Sequence, residues 1–306
     1  MHDPHSARCV LTYDVGGSHV SAAICHEEAL RLERIVSAPH PAEQSTDAFV
    51  DVLFALGARA ADSLRCIVGA ALAMPGPFDY AAGISRARHK LPYLYGFDLK
   101  KALAVRFGWE PGQVQFLNDA AAFLLGEIGA GSARGAARAV GVTLGTGIGA
   151  SFAVHGGVVK EGPGVPPGGE IWDFPVNGGI VEDSLSSRRI QSDYEKLTGK
   201  SSTVAEIAAS ASSDAAAMKV FTDYGVHLGQ AIQLTLAPFR PDVVVLGGNI
   251  ARSAQLFLPA AKKQLGDLNI RIEISSLFDH AALVGAGAAW YRASAMNATA
   301  AAALDR

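Results

Sequence analysis

A chain of 306 residues with 49% hydrophobic and 18% charged side chains is long enough for two domains and has the balance of a folded globular protein, not a disordered one. Its formal net charge of -3 and its lack of any basic run argue against a nucleic-acid partner. No signal-peptide core opens the chain and no stretch approaches the roughly 18 unbroken apolar residues of a membrane span, so a cytoplasmic protein without a membrane partner is expected.

Residues 9–15 read as a strand closing at Asp14-Val15-Gly16-Gly17-Ser18, residues 19–25 return as a second strand, and a third surrounds Ile35. Strand, glycine turn, strand is the opposite of the strand, loop, helix order of a Rossmann or Walker site. Any phosphate bound here is therefore held by a hairpin. Phe49, Val52, Leu53, Leu56 and Ala60 keep helical spacing, which predicts a helix over 46–62 feeding a strand from Cys66 to Leu72. Cys9, Cys25 and Cys66 fall in or beside apolar runs at spacings that fit no zinc motif, and read as small buried hydrophobes in a reducing compartment. The strand ends in Met74-Pro75-Gly76-Pro77, too rich in proline to continue. Such a turn is either a rigid connection or a fixed backbone at a strand end, where α/β proteins place ligands. Residues 83–97 are irregular and carry Arg86, Arg88, His89 and Lys90, a surface loop that is either solvated or close to a polar ligand.

After a helix near 98–107, Val114, Phe116 and Leu117 form a strand that ends at Asn118-Asp119, where another helix begins at once. A further strand then runs into Gly145-Thr146-Gly147-Ile148-Gly149. In the first turn of a helix, free N–H groups and the macrodipole favour an ionised Asp119, and such a carboxylate can take a proton from an attacking hydroxyl. The glycines let backbone N–H groups converge on phosphate oxygens. A plain N-cap at Asn118, a dipole-matching Asp119 and an ordinary hairpin account for the same residues.

Past a strand at 150–154, residues 162–185 hold too many glycines and prolines for a regular element, yet carry Glu170, Asp173, Glu182 and Asp183. A structureless excursion of that length is more often functional than not. Thr203 and Glu206 form a capping box, residues 214–237 a long helix, and Val243 to Leu246 a buried strand closing at Gly247-Gly248-Asn249. A helix over 251–265, a strand over 270–274, a helix over 281–296 and a fraying tail complete the chain. The order strand pair, glycine turn, helix in both halves, at 9–62 and 138–154, points to a duplicated unit of ribonuclease-H type with a site in the cleft between the copies.

Asp14 to Ser18, Met74-Pro75-Gly76-Pro77, Asn118-Asp119 with Glu127, Leu144 to Gly149, Gly169-Glu170-Ile171 and Leu246-Gly247-Gly248-Asn249 stand in an order and spacing that resembles the ROK family, the sugar kinases and sugar-responsive repressors of the actin-like ATPase superfamily. The resemblance covers about residues 9–290. It implies two α/β domains, a smaller one of residues 1–118 with about 285–306 and a larger one of 119–284, in a homodimer. It implies a kinase using ATP and magnesium on a hexose hydroxyl, glucose by default, with Asp119 as catalytic base. Gly76, Asn118, Asp119, Glu170, Asp173 and Glu182 would contact the sugar; Asp14, Gly16, Gly17, Ser18, Gly145, Thr146, Gly147, Gly247 and Gly248 would contact the nucleotide. Many members hold a structural zinc with a histidine and three cysteines. Here that histidine position is Asp173 and no cysteine follows Cys66, so no zinc is expected and Pro175 to Gly179 replaces the metal loop with a turn. Lys90 stands where many members have asparagine. A catalytically silent sugar sensor, or a kinase using polyphosphate or an amino sugar, fits the same motifs. A repressor is disfavoured because Asp14 lies too near the N-terminus for a preceding DNA-binding domain.

Overall fold

The structure is a computed structural model that describes residues 9–41, 44–61, 67–176, 178–268 and 270–304, with 297–304 described by their backbone alone. Cys66, named above as a buried cysteine and a strand start, lies outside the described residues. The chain divides into two compact units, residues 1–130 with 280–306, and residues 131–279.

In the first unit, β1 (Cys9–Val15), β2 (His19–His26) and β3 (Leu32–Pro39) form an antiparallel meander, and α1 (Thr46–Ala60) leads to β4 (Ile67–Met74). A small hairpin, β5 (Phe78–Asp79) and β6 (Ile84–Ser85), and α2 (Leu99–Phe107) precede β7 (Val114–Asn118), which runs straight into α3 (Asp119–Ala130). The sheet order is β3-β2-β1-β4-β7, with β1, β4 and β7 parallel. Its apolar face packs on α1 and α2: Leu11, Phe49, Leu53, Leu72, Leu103 and Val114 are all buried, and the Tyr13 hydroxyl donates to the Leu53 carbonyl at 3.0 Å. Ser45 caps α1 by accepting the Ala48 N–H, the start signal an amphipathic helix needs.

The second unit repeats the plan. β8 (Arg138–Leu144), β9 (Ile148–Val154) and β10 (Gly157–Val159) form the meander; β11 (Pro175–Val176) and β12 (Gly179–Ile180) make a separate short hairpin. Helices α4 (Val181–Leu185), α5 (Ser187–Thr198), α6 (Val204–Ser210) and α7 (Ala215–Ala231) follow, then β13 (Val243–Gly247), α8 (Ala254–Leu265) and β14 (Arg271–Ile274). The order β10-β9-β8-β13-β14 has the same mixture of antiparallel and parallel pairs as the first sheet. This is a mixed α/β chain with two equivalent five-stranded sheets, each with its own core.

Two elements differ from the sequence expectation. The C-terminal helix α9 (Ala281–Leu304) does not stop near 296 but continues through an alanine-rich stretch, the composition with the highest helix propensity. The division between units falls after Ala130 and Asp279, not after residues 118 and 284, because α3 packs along α9. Their backbones meet at glycines: a β-carbon on Gly285 would lie 1.7 Å from the Ala122 carbonyl oxygen, and one on Gly126 would lie 2.0 Å from that of Ala281. Alanine in place of an unhindered helical glycine stabilises by about 0.4–1 kcal/mol, whereas a forced clash in a packed contact costs about 1–3 kcal/mol. Gly285→Ala should therefore lower unfolding free energy in urea by about 1–3 kcal/mol; a variant as stable as the parent would show that the two helices are not in backbone contact.

Candidate active site

The three parallel strands of the first sheet end together. Asp14 pairs with Ala73 and Met74 with Asn118, so the carboxyl ends of β1, β4 and β7 bring Asp14, the Pro75-Gly76-Pro77 turn and Asn118-Asp119 to one edge. Ligands of open α/β sheets sit at such an edge. Between β1 and β2, the Gly16 N–H donates to the His19 carbonyl at 3.0 Å, and His40 Nε2 lies 2.8 Å from the Gly16 carbonyl oxygen, which fixes a turn whose Gly17 and Ser18 are exposed.

Asn118 serves the fold and the site at once. Its Oδ1 accepts the Ala121 N–H at 3.1 Å, the bond of an N-cap, while its Nδ2 donates to the Tyr80 hydroxyl at 3.1 Å and to Asp119 Oδ1 at 3.0 Å. Asp119 Oδ1 also accepts the Ala120 N–H at 2.9 Å, so two donors fix this oxygen and orient the carboxylate. Tyr80, which sequence reasoning passed over, donates to the Met74 carbonyl at 3.3 Å, and its hydroxyl would lie 3.3 Å from a β-carbon on Gly76. Gly76, Tyr80, Asn118 and Asp119 thus form one contiguous group.

Burial raises the Asp119 carboxyl above its ordinary range; the Ala120 N–H, the Lys90 ammonium and the Asn118 amide oppose this without reversing it. The N–H groups at the helix start favour the ionised form, as the sequence suggests, but desolvation by the surrounding fold is the larger effect and the net shift is upward. A base whose pKa is moved toward neutrality is better matched to proton transfer at physiological pH. The Lys90 ammonium is close enough for its charge to favour the Asp119 carboxylate.

In the second unit, β8 and β9 are joined by Gly145-Thr146-Gly147, closed by the Gly145 N–H on the Gly147 carbonyl at 3.1 Å. Gly247 pairs with Thr143, which puts the end of β13 beside this turn. Gly248 has φ +79°, and a β-carbon there would lie 2.4 Å from the Leu144 carbonyl oxygen, so only glycine lets β13 close against β8. The Ser187 N–H donates to the Gly145 carbonyl at 2.8 Å, which brings Arg188 to the same turn. Glu182, expected at a sugar, has its Oε2 on the Ile148 N–H at 3.1 Å, and a β-carbon on Gly147 would lie 2.6 Å from that oxygen. Its other oxygen is 3.9 Å from the Arg188 guanidinium. Helix α4, which carries Glu182, is anchored from below by the Tyr224 hydroxyl on the Leu185 carbonyl at 3.0 Å.

The glycine-rich segment 162–185 is more regular than its composition suggests. Ile171 is buried in the core, the Phe174 N–H donates to its carbonyl at 3.1 Å, and the Val181 N–H donates to the Phe174 carbonyl at 3.0 Å, closing the β11–β12 hairpin into α4. Glu170 and Asp173 are exposed on this loop, and the Trp172 indole N–H donates to Glu170 Oε2 at 2.7 Å. Trp172 and Arg188 were missed by sequence reasoning; a large aromatic two residues from a candidate ligand carboxylate, in a loop otherwise made of glycine and proline, was the available signal for the first. Among the described residues, no group of three or more histidine, cysteine, aspartate or glutamate side chains is placed to hold a metal ion.

Two recesses lie elsewhere. One of about 520 Å³ is bordered by Val176, Asp183, Arg189 and His227, the other, of about 670 Å³, by Val50, Phe97, Asp98 and Arg106. Neither contains Asp119, Glu170 or a residue of the Gly16–Ser18, Gly145–Gly147 or Gly247-Gly248 turns, so the assignment of the site rests on strand ends and hydrogen-bond geometry.

Residues 10–293 match the ROK family. A glucokinase of Thermotoga maritima is 28% identical over 244 residues, covering 69% of this chain and 75% of that protein. Among solved structures, a ROK hexokinase from Thermus thermophilus superposes with a TM-score of 0.74 at 24% identity over 91% of this chain and 96% of that one. A ROK family glucokinase from Streptomyces griseus, in complex with glucose and AMPPNP, gives 0.75 at 20% identity over 91% and 97%. With a family match over nearly the whole length and the duplicated sheets of that fold, the chain belongs to the ROK family.

Proposed function

We propose that this chain, as a carbohydrate kinase of its family, moves the terminal phosphoryl group of ATP onto a hydroxyl of a hexose, with glucose as the default acceptor. The observation that carries the reading is Asp119, partly buried at a strand-to-helix corner with one carboxylate oxygen fixed by two donors. Phosphoryl transfer asks little covalent chemistry of a protein, so orientation of the acceptor and neutralisation of charge supply most of the rate. Asp119 orients the sugar hydroxyl and takes its proton as the phosphoryl group is transferred. Gly76, Asn118, Glu170 and Asp173 hold the sugar; Gly16, Gly17 and Ser18 and Gly145, Thr146 and Gly147 hold the phosphates through backbone N–H groups; Gly247 and Gly248 border the adenosine. Glu182 orders the second glycine turn through Ile148 as well as facing the sugar.

Asp14, a carboxylate at the end of β1, would be the residue to hold a magnesium ion that reaches the site with the nucleotide, and the ion would neutralise triphosphate charge. The same reading takes the protein as a cytoplasmic homodimer with no nucleic-acid or membrane partner; among the described residues no helix is long and apolar enough to cross a membrane. A silent sugar sensor would have no use for a proton-accepting carboxylate fixed in this way.

Since a β-carbon on Gly147 would meet Glu182 Oε2, Gly147→Ala should displace either the carboxylate or the turn. The expected result is a rise in the KM for ATP of about tenfold, equivalent to about 1.4 kcal/mol. An unchanged KM for ATP would remove this turn from the nucleotide site. The reading as a whole is tested by a coupled phosphorylation screen of hexoses and amino sugars against ATP and polyphosphate: sugar-dependent ADP release supports it, and no turnover with any pair overturns it.

A further inference from the structure

Trp172 joins the two carboxylates assigned to the sugar. Its indole N–H donates to Glu170 Oε2 at 2.7 Å, and its backbone carbonyl accepts the Glu182 N–H at 3.0 Å. One residue thus fixes the side chain of Glu170 and the backbone from which Glu182 projects. Trp172 is 42% exposed, whereas Ile171 beside it is only 2% exposed, so the loop is pinned at one residue and presents the next. A large aromatic surface left open to solvent next to a hydrogen-bonding carboxylate is the pairing that recognises an amphipathic ligand, with an apolar face on the ring and a polar group on the carboxylate.

We propose that Trp172 is the specificity-determining residue of the sugar site: it lays its indole face against the C–H-bearing face of a hexopyranose and holds Glu170 so that Oε1 accepts from a hydroxyl of the same ring. The proposal rests on the reading of the chain as a sugar kinase. The indole N–H occupies one oxygen of Glu170, which leaves the other to choose among hydroxyls by their position. Stacking selects pyranoses whose hydrogens gather on one face, and the carboxylate selects which hydroxyl stands beside that face. Two functions, apolar contact and carboxylate positioning, are thus separable by substitution. Phenylalanine keeps the ring and removes the N–H; alanine removes both.

The chain has three tryptophans, and Trp290 is buried at 6% while Trp109 stacks on Phe107 with ring centroids 4.4 Å apart. Sugar binding should therefore be visible as a change in fluorescence that arises from Trp172. The test is calorimetric and fluorescence titration of the full chain with glucose, mannose and their N-acetylamino counterparts, without nucleotide, followed by KM values for sugar and for ATP. Trp172→Phe should abolish the fluorescence change, weaken sugar binding about tenfold, the scale of one lost hydrogen bond to a charged group, and leave the KM for ATP within about threefold. Trp172→Ala should weaken sugar further, and Trp109→Phe should retain the fluorescence change. Sugar affinity within about twofold of the parent in both Trp172 variants would overturn the proposal while leaving the kinase reading in place. Equal weakening of sugar and ATP together with a lowered Tm would overturn it in favour of a purely structural role. If the parent chain binds none of the sugars, the kinase reading fails first and the proposal with it.

Discussion

Asp119→Asn should lower kcat by roughly 10² to 10⁴ while leaving Tm at neutral pH unchanged or slightly raised. The rate falls because asparagine cannot accept the hydroxyl proton. The fold is spared because its Oδ1 can take over both bonds of the aspartate, from the Ala120 N–H and the Asn118 amide. The sign of the stability effect follows from linkage. Burial holds the Asp119 carboxyl above its ordinary range, so the native state binds this proton more tightly than the unfolded chain does, and ionisation above the unfolded pKa works against folding. An uncharged replacement is relieved of that cost. Were Asp119 only a charge matched to a helix terminus, the substitution would cost about 0.3–1 kcal/mol of stability and leave the rate alone. Measuring kcat and Tm on one preparation separates the two roles: a rate within threefold of the parent would remove Asp119 from the mechanism.

Glu170→Gln should weaken sugar binding about ten- to a hundredfold, with nucleotide affinity nearly unchanged. With Glu170 Oε2 engaged by the Trp172 indole N–H, the oxygen left for the proposed sugar contact is Oε1. Glutamine can satisfy the indole only with its carbonyl oxygen, which turns its NH₂ toward the sugar and replaces an acceptor by a donor. Losing a hydrogen bond to a charged group costs about 1.5–3 kcal/mol. Separate calorimetric titrations with sugar and with a non-hydrolysable nucleotide check this. Equal weakening of both would mean that the loop around Glu170 folds the unit without touching the sugar.

Local signals carried much of the architecture. The glycine turns at Gly16–Ser18 and Gly145–Gly147, each between two apolar runs, mark real hairpins, because a period of two interrupted by residues free of a β-carbon has few other solutions. The corner at Asn118-Asp119 was equally legible, since a polar cap directly after an apolar strand starts a helix. What was hidden depends on contacts distant in sequence. Nothing local shows that α3 belongs with α9, because their contact is made by glycines whose role appears only when the helices meet. The placement of Glu182 on the Ile148 N–H, 34 residues away, and the link of Tyr80 to Asn118 are likewise tertiary facts. The rise of the Asp119 pKa is hidden for the same reason: the helix start is written in the local sequence, but the desolvation comes from the surrounding fold.

The pH dependence of kcat/KM for the sugar, compared between the parent and Asp119→Asn, tests phosphoryl transfer through Asp119 most directly. The base must be deprotonated to act, so the parent should lose activity as pH falls, with a midpoint above the roughly 3.9 of an unperturbed aspartate. The variant should run at its low rate without that acidic limb. A parent profile that stays flat through the range in which a raised carboxylate titrates, or the same acidic limb in both proteins, would contradict the assignment of Asp119 as the base.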